Sequence, residues 1–130
     1  MAHQGSGSSI TIVSDTVYTT VATIPVQQGF SNLWFDFDLT ADAALTAFNT
    51  DVKAHPNGNW YTVASTAAHY APKVISDLSP IKETVGTPVT LAASGNSLIW
   101  MEVKGLDSVR FQAKSGASDA IVSDFYWQQR

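Results

Sequence analysis

Ser97–Arg130 reads SLIWMEVKGLDSVRFQAKSGASDAIVSDFYWQQR. Apolar residues fall on alternate positions: Ile99, Met101 and Val103 form one set, and Val109, Phe111 and Ala113 form another. A period of two belongs to strands, whose side chains point alternately to the two faces of a sheet. The link between the sets decides their pairing. A two-residue turn at Gly105-Leu106 would set Arg110 opposite Met101, a charge on the core face. A three-residue loop, Gly105–Asp107, instead pairs Val103 with Val109, Met101 with Phe111 and Ile99 with Ala113, with Glu102 against Arg110 on the outer face. That register satisfies both faces and predicts a hairpin. The exposed Glu102–Arg110 pair specifies register more than it stabilises, at about 0.2–1 kcal/mol. Ser115–Asp119 turns the chain into a last strand, Ala120–Trp127, in which Ile121 and Val122 compete for the core.

The same period recurs upstream. In LWFDFDL, Leu33, Phe35, Phe37 and Leu39 share one face, and Trp34, Asp36 and Asp38 the other. Ser9–Ser14 and Val17–Ile24 are strand candidates, and Pro25 ends the second because it cannot donate to a ladder. Ala41–Ala54 is ambiguous. Leu45, Phe48 and Val52 have helical spacing and Thr40 is a candidate cap, yet Phe48, Thr50, Val52 and Ala54 also alternate. The following HPNGNWYTVAS resolves it. A loop over Pro56–Asn59 sets His55 opposite Trp60, Ala54 opposite Tyr61, Val52 opposite Val63 and Thr50 opposite Ser65, so a strand is expected, with a short helical turn before it around Asp42–Leu45. Ala67–Pro88 holds Pro72, Pro80 and Pro88 and reads as a long connection with a short strand at Val74–Leu78. A strand at Val89–Ala92 and a turn at Ser94-Gly95-Asn96 follow. Eight to nine such strands between turn signals predict an all-β antiparallel sandwich, jelly-roll-like.

The chain's 130 residues suit one domain, with 45% hydrophobic and 14% charged residues. A polar, Gly- and Ser-rich start, residues 1–9, reads as a flexible arm before a single domain over 10–130. Seven Lys and Arg, a net charge of -4 and no basic cluster argue against nucleic acid and membrane surfaces. Without cysteine there are no disulfides, thiolate metal sites or thiol nucleophiles. That composition suits assembly in a reducing cytoplasm.

No catalytic pattern stands out, and the chain reads as no enzyme. His3, His55 and His69 lack a second ligand at strand or helix spacing. Asp36 and Asp38 share a face that suits a hard cation, but no calcium-loop pattern accompanies them, and a solvated sheet face is the simpler reading. Pairing Asp36 with Glu83 or Glu102 for glycoside hydrolysis has no feature that selects it. No cofactor or metal is expected. Trp34, Trp60 and Trp100 remain, all read as outward-facing, more indole than a monomer of this size leaves in water. They are accounted for by a protein partner, with Glu102 and Arg110 beside them, by a saccharide stacked on an aromatic platform near Asp36 or Asp38, or by packing under loops.

From Ala47 onward, about two thirds of the chain, the succession AFNTDVKAHPNGNWYTVAS, a proline-containing connection and TPVTLAASGNSLIWMEVKGLDSVRFQAKSGASDAIVSDFYW resembles small β-sandwich proteins of tailed-bacteriophage virions. In those a "dg-W" hairpin precedes a strand of the type L-x-V-x-G-x-x-x-V-R-x-x-A. Here Met101-Glu102-Val103-Lys104-Gly105 and Val109-Arg110-Phe111-Gln112-Ala113 stand in its place. The resemblance implies a capsid decoration, or cement, protein. Such a protein is a jelly-roll-like homotrimer on the capsid exterior that binds junctions of the major capsid protein, with an N-terminal arm that contacts neighbours. A carbohydrate-binding module, or a tail, baseplate or connector component, is the alternative. No catalytic or ligand residues carry over.

Overall fold

A computed structural model describes residues 3–13, 16–39, 45–63, 70, 72–74, 95–115 and 119–130; the side chains of 46, 73, 74 and 95–97 are outside that description. Nine strands lie among these residues: β1 (His3–Ile12), β2 (Thr19–Pro25), β3 (Asn32–Leu39), β4 (Leu45–Lys53), β5 (Tyr61–Thr62), β6 (Lys73–Val74), β7 (Gly95–Glu102), β8 (Ser108–Ser115) and β9 (Ala120–Gln129). They form a five-stranded sheet in the order β1-β9-β3-β7-β6 and a four-stranded sheet in the order β2-β8-β4-β5. Every pairing is antiparallel. The chain ends nest: β1 lies on β9, β2 on β8, and β3 between β9 and β7. This is the topology of a jelly roll, the all-β sandwich expected from the alternation.

The strand β3 shows why the sandwich forms. Leu33, Phe35, Phe37 and Leu39 are buried, while Trp34, Asp36 and Asp38 point outward. From the opposing sheet, Phe48 of β4 and Phe111 of β8 meet them. Ring centroids lie 4.7 Å apart for Phe35–Phe111 and 6.0 Å for Phe37–Phe48 across the gap, and 5.4 Å for Phe35–Phe125 within the five-stranded sheet. Rings from two pleated faces interlock across the gap between sheets. One end of the sandwich is closed by the fully buried Gln129, whose Nε2 donates to the Pro25 carbonyl (2.6 Å) and whose Oε1 accepts from the Gln27 amide (2.9 Å).

Four expectations change. First, the free arm expected over residues 1–9 is mostly strand: β1 begins at His3 and pairs with β9 from His3↔Gln129 onward. The small residues there are complements of large ones. A Cβ on Gly5 would lie 2.5 Å from the Trp127 ring, and one on Gly7 2.2 Å from Phe125. Glycine lets the β9 rings lie over β1.

Second, β7 and β8 form no hairpin. The five residues Val103–Asp107 step from one sheet to the other. The Val103 amide still donates to Ser31 on the first sheet, whereas the Asp107 amide donates to Lys53 and the Asp107 carbonyl accepts from Val26, both beside the second. Gly105 takes φ +85° in the step, where a side chain would be strained. The two apolar sets therefore oppose each other across the core, and the Glu102–Arg110 pair does not form. Glu102 lies opposite Asn32, and Arg110 opposite Asp51.

Third, the strand expected within Ala41–Ala54 is present as Leu45–Lys53, but the pairing with β5 is two residues off. Val52 faces Tyr61 rather than Val63. The Gly58 amide donates to the His55 carbonyl (2.8 Å) and the Asn57 amide to His55 Nδ1 (3.1 Å), so the reversal begins at His55 and the ladder starts further from the tip. Fourth, Gly95 and Asn96, expected in a turn, lie in β7 opposite Leu39 and Asp38. Thr40, the turn at 42–44, the strand at Val89–Ala92 and most of the connection Ala67–Pro88 lie outside the described residues. So do His69 and Glu83.

The competition in β9 is resolved by a change of parity. Phe125 and Gln129 face inward on odd positions, but so do Val122 and Ala120 on even ones. A bulge against β3 between Asp38↔Asp124 and Leu39↔Val122 takes up Ser123. Opposite it, Ser9 adopts φ +57°, and β1 changes parity at the same level.

Candidate interaction surfaces

Trp34, Trp100 and Glu102 stand on the outer face of the five-stranded sheet, whereas Trp60 and Arg110 stand on the outer face of the four-stranded sheet. The five sequence candidates thus divide between two opposite surfaces. Alternation within a strand places each side chain outward, but which sheet carries the strand depends on long-range pairing.

On the four-stranded sheet, antiparallel pairing sets Asp51 of β4 directly against Arg110 of β8. Arg110 donates to Asp51 Oδ2 from Nη2 (2.5 Å) and Nε (3.1 Å). Asp51 Oδ1 accepts from Asn49 Nδ2 and Thr62 Oγ1, both at 2.9 Å. Asn49 Nδ2 also reaches Gln112 Oε1 at 3.3 Å. Asp51 is buried, and Arg110 is partly exposed. The guanidinium lies 4.5 Å from the Trp60 ring centroid and Lys53 Nζ 5.1 Å from it. Further along, Lys114 lies 4.2 Å from the ring of Tyr18. Among the described residues, Arg110, Lys53 and Lys114 outnumber the carboxylates of Asp51 and, at the end of the face against Ser108 Oγ, Asp107, so this face is the more basic one of an acidic chain. Cation–π contact keeps the indole in place without burying it.

The five-stranded sheet presents the reverse. Two rows of outward residues cross it: Gln4, Gln128, Trp34 and Trp100 in one, and Ser6, Tyr126, Asp36 and Leu98 in the next. Trp100 Nε1 donates to Asn32 Oδ1 (3.1 Å), which fixes that indole. Arg130 lies with its guanidinium 5.6 Å from the Trp34 ring and donates to Gln128 Oε1 (3.1 Å). Between the two rows is a depression of about 710 Å³ lined by Trp34, Asp36, Tyr126, Gln128, Gln4 and Arg130, among others. Asp38 and Asp124 are direct cross-strand partners on the same face, so it carries carboxylates where the other carries cations. Among the described residues no three His, Asp or Glu side chains group as metal ligands. His3 packs edge-on against Trp127 (5.0 Å) and His55 sits in a turn.

Tyr126 and Gln128 belong to this surface but not to the sequence candidates. Their signal was the alternation of β9, which the bulge at Ser123 interrupts. Gln4 and Ser6 went unmarked because small polar residues near a terminus read as an arm.

No family model matches this sequence, and no curated protein matches it. Among solved structures the fold is similar to that of the SPBc2 prophage-derived protein YomS, with a TM-score of 0.60 and 12% identity over 100% of this chain and 96% of that one.

Proposed function

We propose that this chain is a non-enzymatic structural protein of a bacteriophage virion, a decoration protein that cements junctions of the major capsid protein on the capsid exterior. Three supports converge: the resemblance carried by Met101–Ala113, a fold shared end to end with a prophage-derived protein, and a basic aromatic face. The observation that carries the mechanism is Trp60 under Arg110 and Lys53, over a buried carboxylate. Trp and Arg are the residues that dominate binding energy at protein interfaces, and here the network below holds both in place before contact. The cationic surround suits an acidic capsid surface and makes association sensitive to salt. Trimer formation hides sheet edges that a lone copy leaves open.

Antibody labelling of purified virions tests the reading, together with solution mass by light scattering. The expected result is labelling on the head and a trimeric mass. Trp60→Ala should weaken retention on heads about tenfold or more, in the range of an interface anchor. Labelling confined to the tail or baseplate would reassign the chain within the virion, and unlabelled particles with a monomeric mass would end the proposal.

A further inference from the structure

We propose that the depression on the outer face of the five-stranded sheet binds a neutral saccharide, with Tyr126 and Trp34 as stacking surfaces and Asp36, Gln4, Gln128 and Arg130 as its polar rim. This goes beyond the capsid role and uses the opposite face. Its volume of about 710 Å³ lies within the range of about 300–1,000 Å³ for small-ligand sites. Tyr126 is 58% exposed, too large a ring to leave in water without use on a short surface row. Beside it stand a carboxylate, two primary amides and a guanidinium. These planar groups accept from and donate to adjacent hydroxyls in pairs. Aromatic faces take the C–H side of a pyranose ring, which is apolar and electropositive.

The surroundings narrow the ligand. In a sheet interior the backbone amides and carbonyls are already paired across strands, so an extended peptide finds no main-chain partners on this face. Peptide anchoring also favours a dry apolar pocket, whereas this rim is polar. Asp36 and Arg130 balance within the depression, and Asp38 and Asp124 lie next to it on the same face, so an anionic glycan meets repulsion. A hydroxyl-rich, uncharged ligand is what remains. The site is partly preorganised, because the hydrogen bond from Arg130 to Gln128 and the contact of Arg130 with Trp34 fix three of its members.

The test uses the full chain, labelled, on an array of neutral hexose and N-acetylhexosamine oligosaccharides with sulfated and sialylated glycans alongside. Calorimetric titration with the best neutral oligosaccharide follows. Neutral glycans should bind, anionic ones should not, and Tyr126→Ala should weaken binding about tenfold. Asp36→Ala should weaken it by a similar factor, while Tyr61→Ala, outside the depression, leaves it unchanged. Both site residues are exposed, so folding is not at stake, and a thermal melt checks it. Absence of any neutral-glycan signal overturns the proposal. So does preference for anionic glycans, or full binding by the Tyr126→Ala and Asp36→Ala variants.

Discussion

The two outer faces of this sandwich use similar residues to opposite ends. On the four-stranded sheet, Arg110 and Trp60 rest on Asp51, which is itself held by Asn49 and Thr62. The buried carboxylate there is answered by Arg110, which stays partly exposed and, with Lys53, holds the Trp60 ring at the surface. On the five-stranded sheet, Tyr126 and Asp36 stand exposed beside a depression, while Trp34, Trp100, Gln128 and Arg130 make contacts with neighbours. An outward tryptophan can therefore be held ready for contact by a network beneath it, as Trp60 is, or stand beside an open depression with exposed polar neighbours, as Trp34 does.

Substitutions in the core and on each face test this contrast. Phe111→Ala removes the ring that meets both Phe35 and Phe48 in the shared core. A loss of about 3–5 kcal/mol is expected, read from the denaturant midpoint, and both faces should lose their order together. A loss below about 1 kcal/mol would mean that the sheets do not depend on this contact. Asp51→Ala acts on the four-stranded face alone. It leaves Arg110 without its carboxylate, Thr62 Oγ1 without this acceptor and Asn49 Nδ2 with only the longer bond to Gln112, and about 2–3 kcal/mol should go, discounted for the partial exposure of Arg110. Asp51→Asn should recover part of it, because an amide oxygen still accepts.

Gly7→Ala strikes the five-stranded sheet from beneath. Its new Cβ meets the Phe125 ring, and about 1–3 kcal/mol is expected, against almost none for the outward Ser6→Ala. Equal effects at the two positions would refute the complementarity of β1 and β9. Tyr126→Ala should change the melting midpoint least, by the equivalent of about 0.5 kcal/mol or less, since its ring is mostly in water. A large loss there would show that the two faces are alike in supporting the fold.

Much of this was legible from local pattern. Alternation in Leu33–Leu39 assigned each of those side chains to its observed face. The same reading placed Trp60 and Arg110 outward. It missed the cooperation of Asp51 with Arg110, 59 residues apart, because only strand pairing brings them together. It missed Tyr126 because a single bulged residue reverses the parity of β9. Residues 3–9 were misjudged for a related reason. A Gly-Ser segment carries no hydrophobic signal of its own, and its strand character comes from the Phe125 and Trp127 rings that fill the space its side chains leave.

From the amino-acid sequence alone follow the all-β sandwich, the course of most strands and the core-facing side of β3, β7 and β8, because side-chain alternation is a property of one strand. Only the tertiary structure decided which strands are neighbours. A hairpin and a step between sheets bury Ile99, Met101, Val103, Val109, Phe111 and Ala113 equally well, so hydrophobicity does not choose between them. The choice rests on backbone partners far away in the chain: Ser31 for Val103, and Val26 and Lys53 for Asp107.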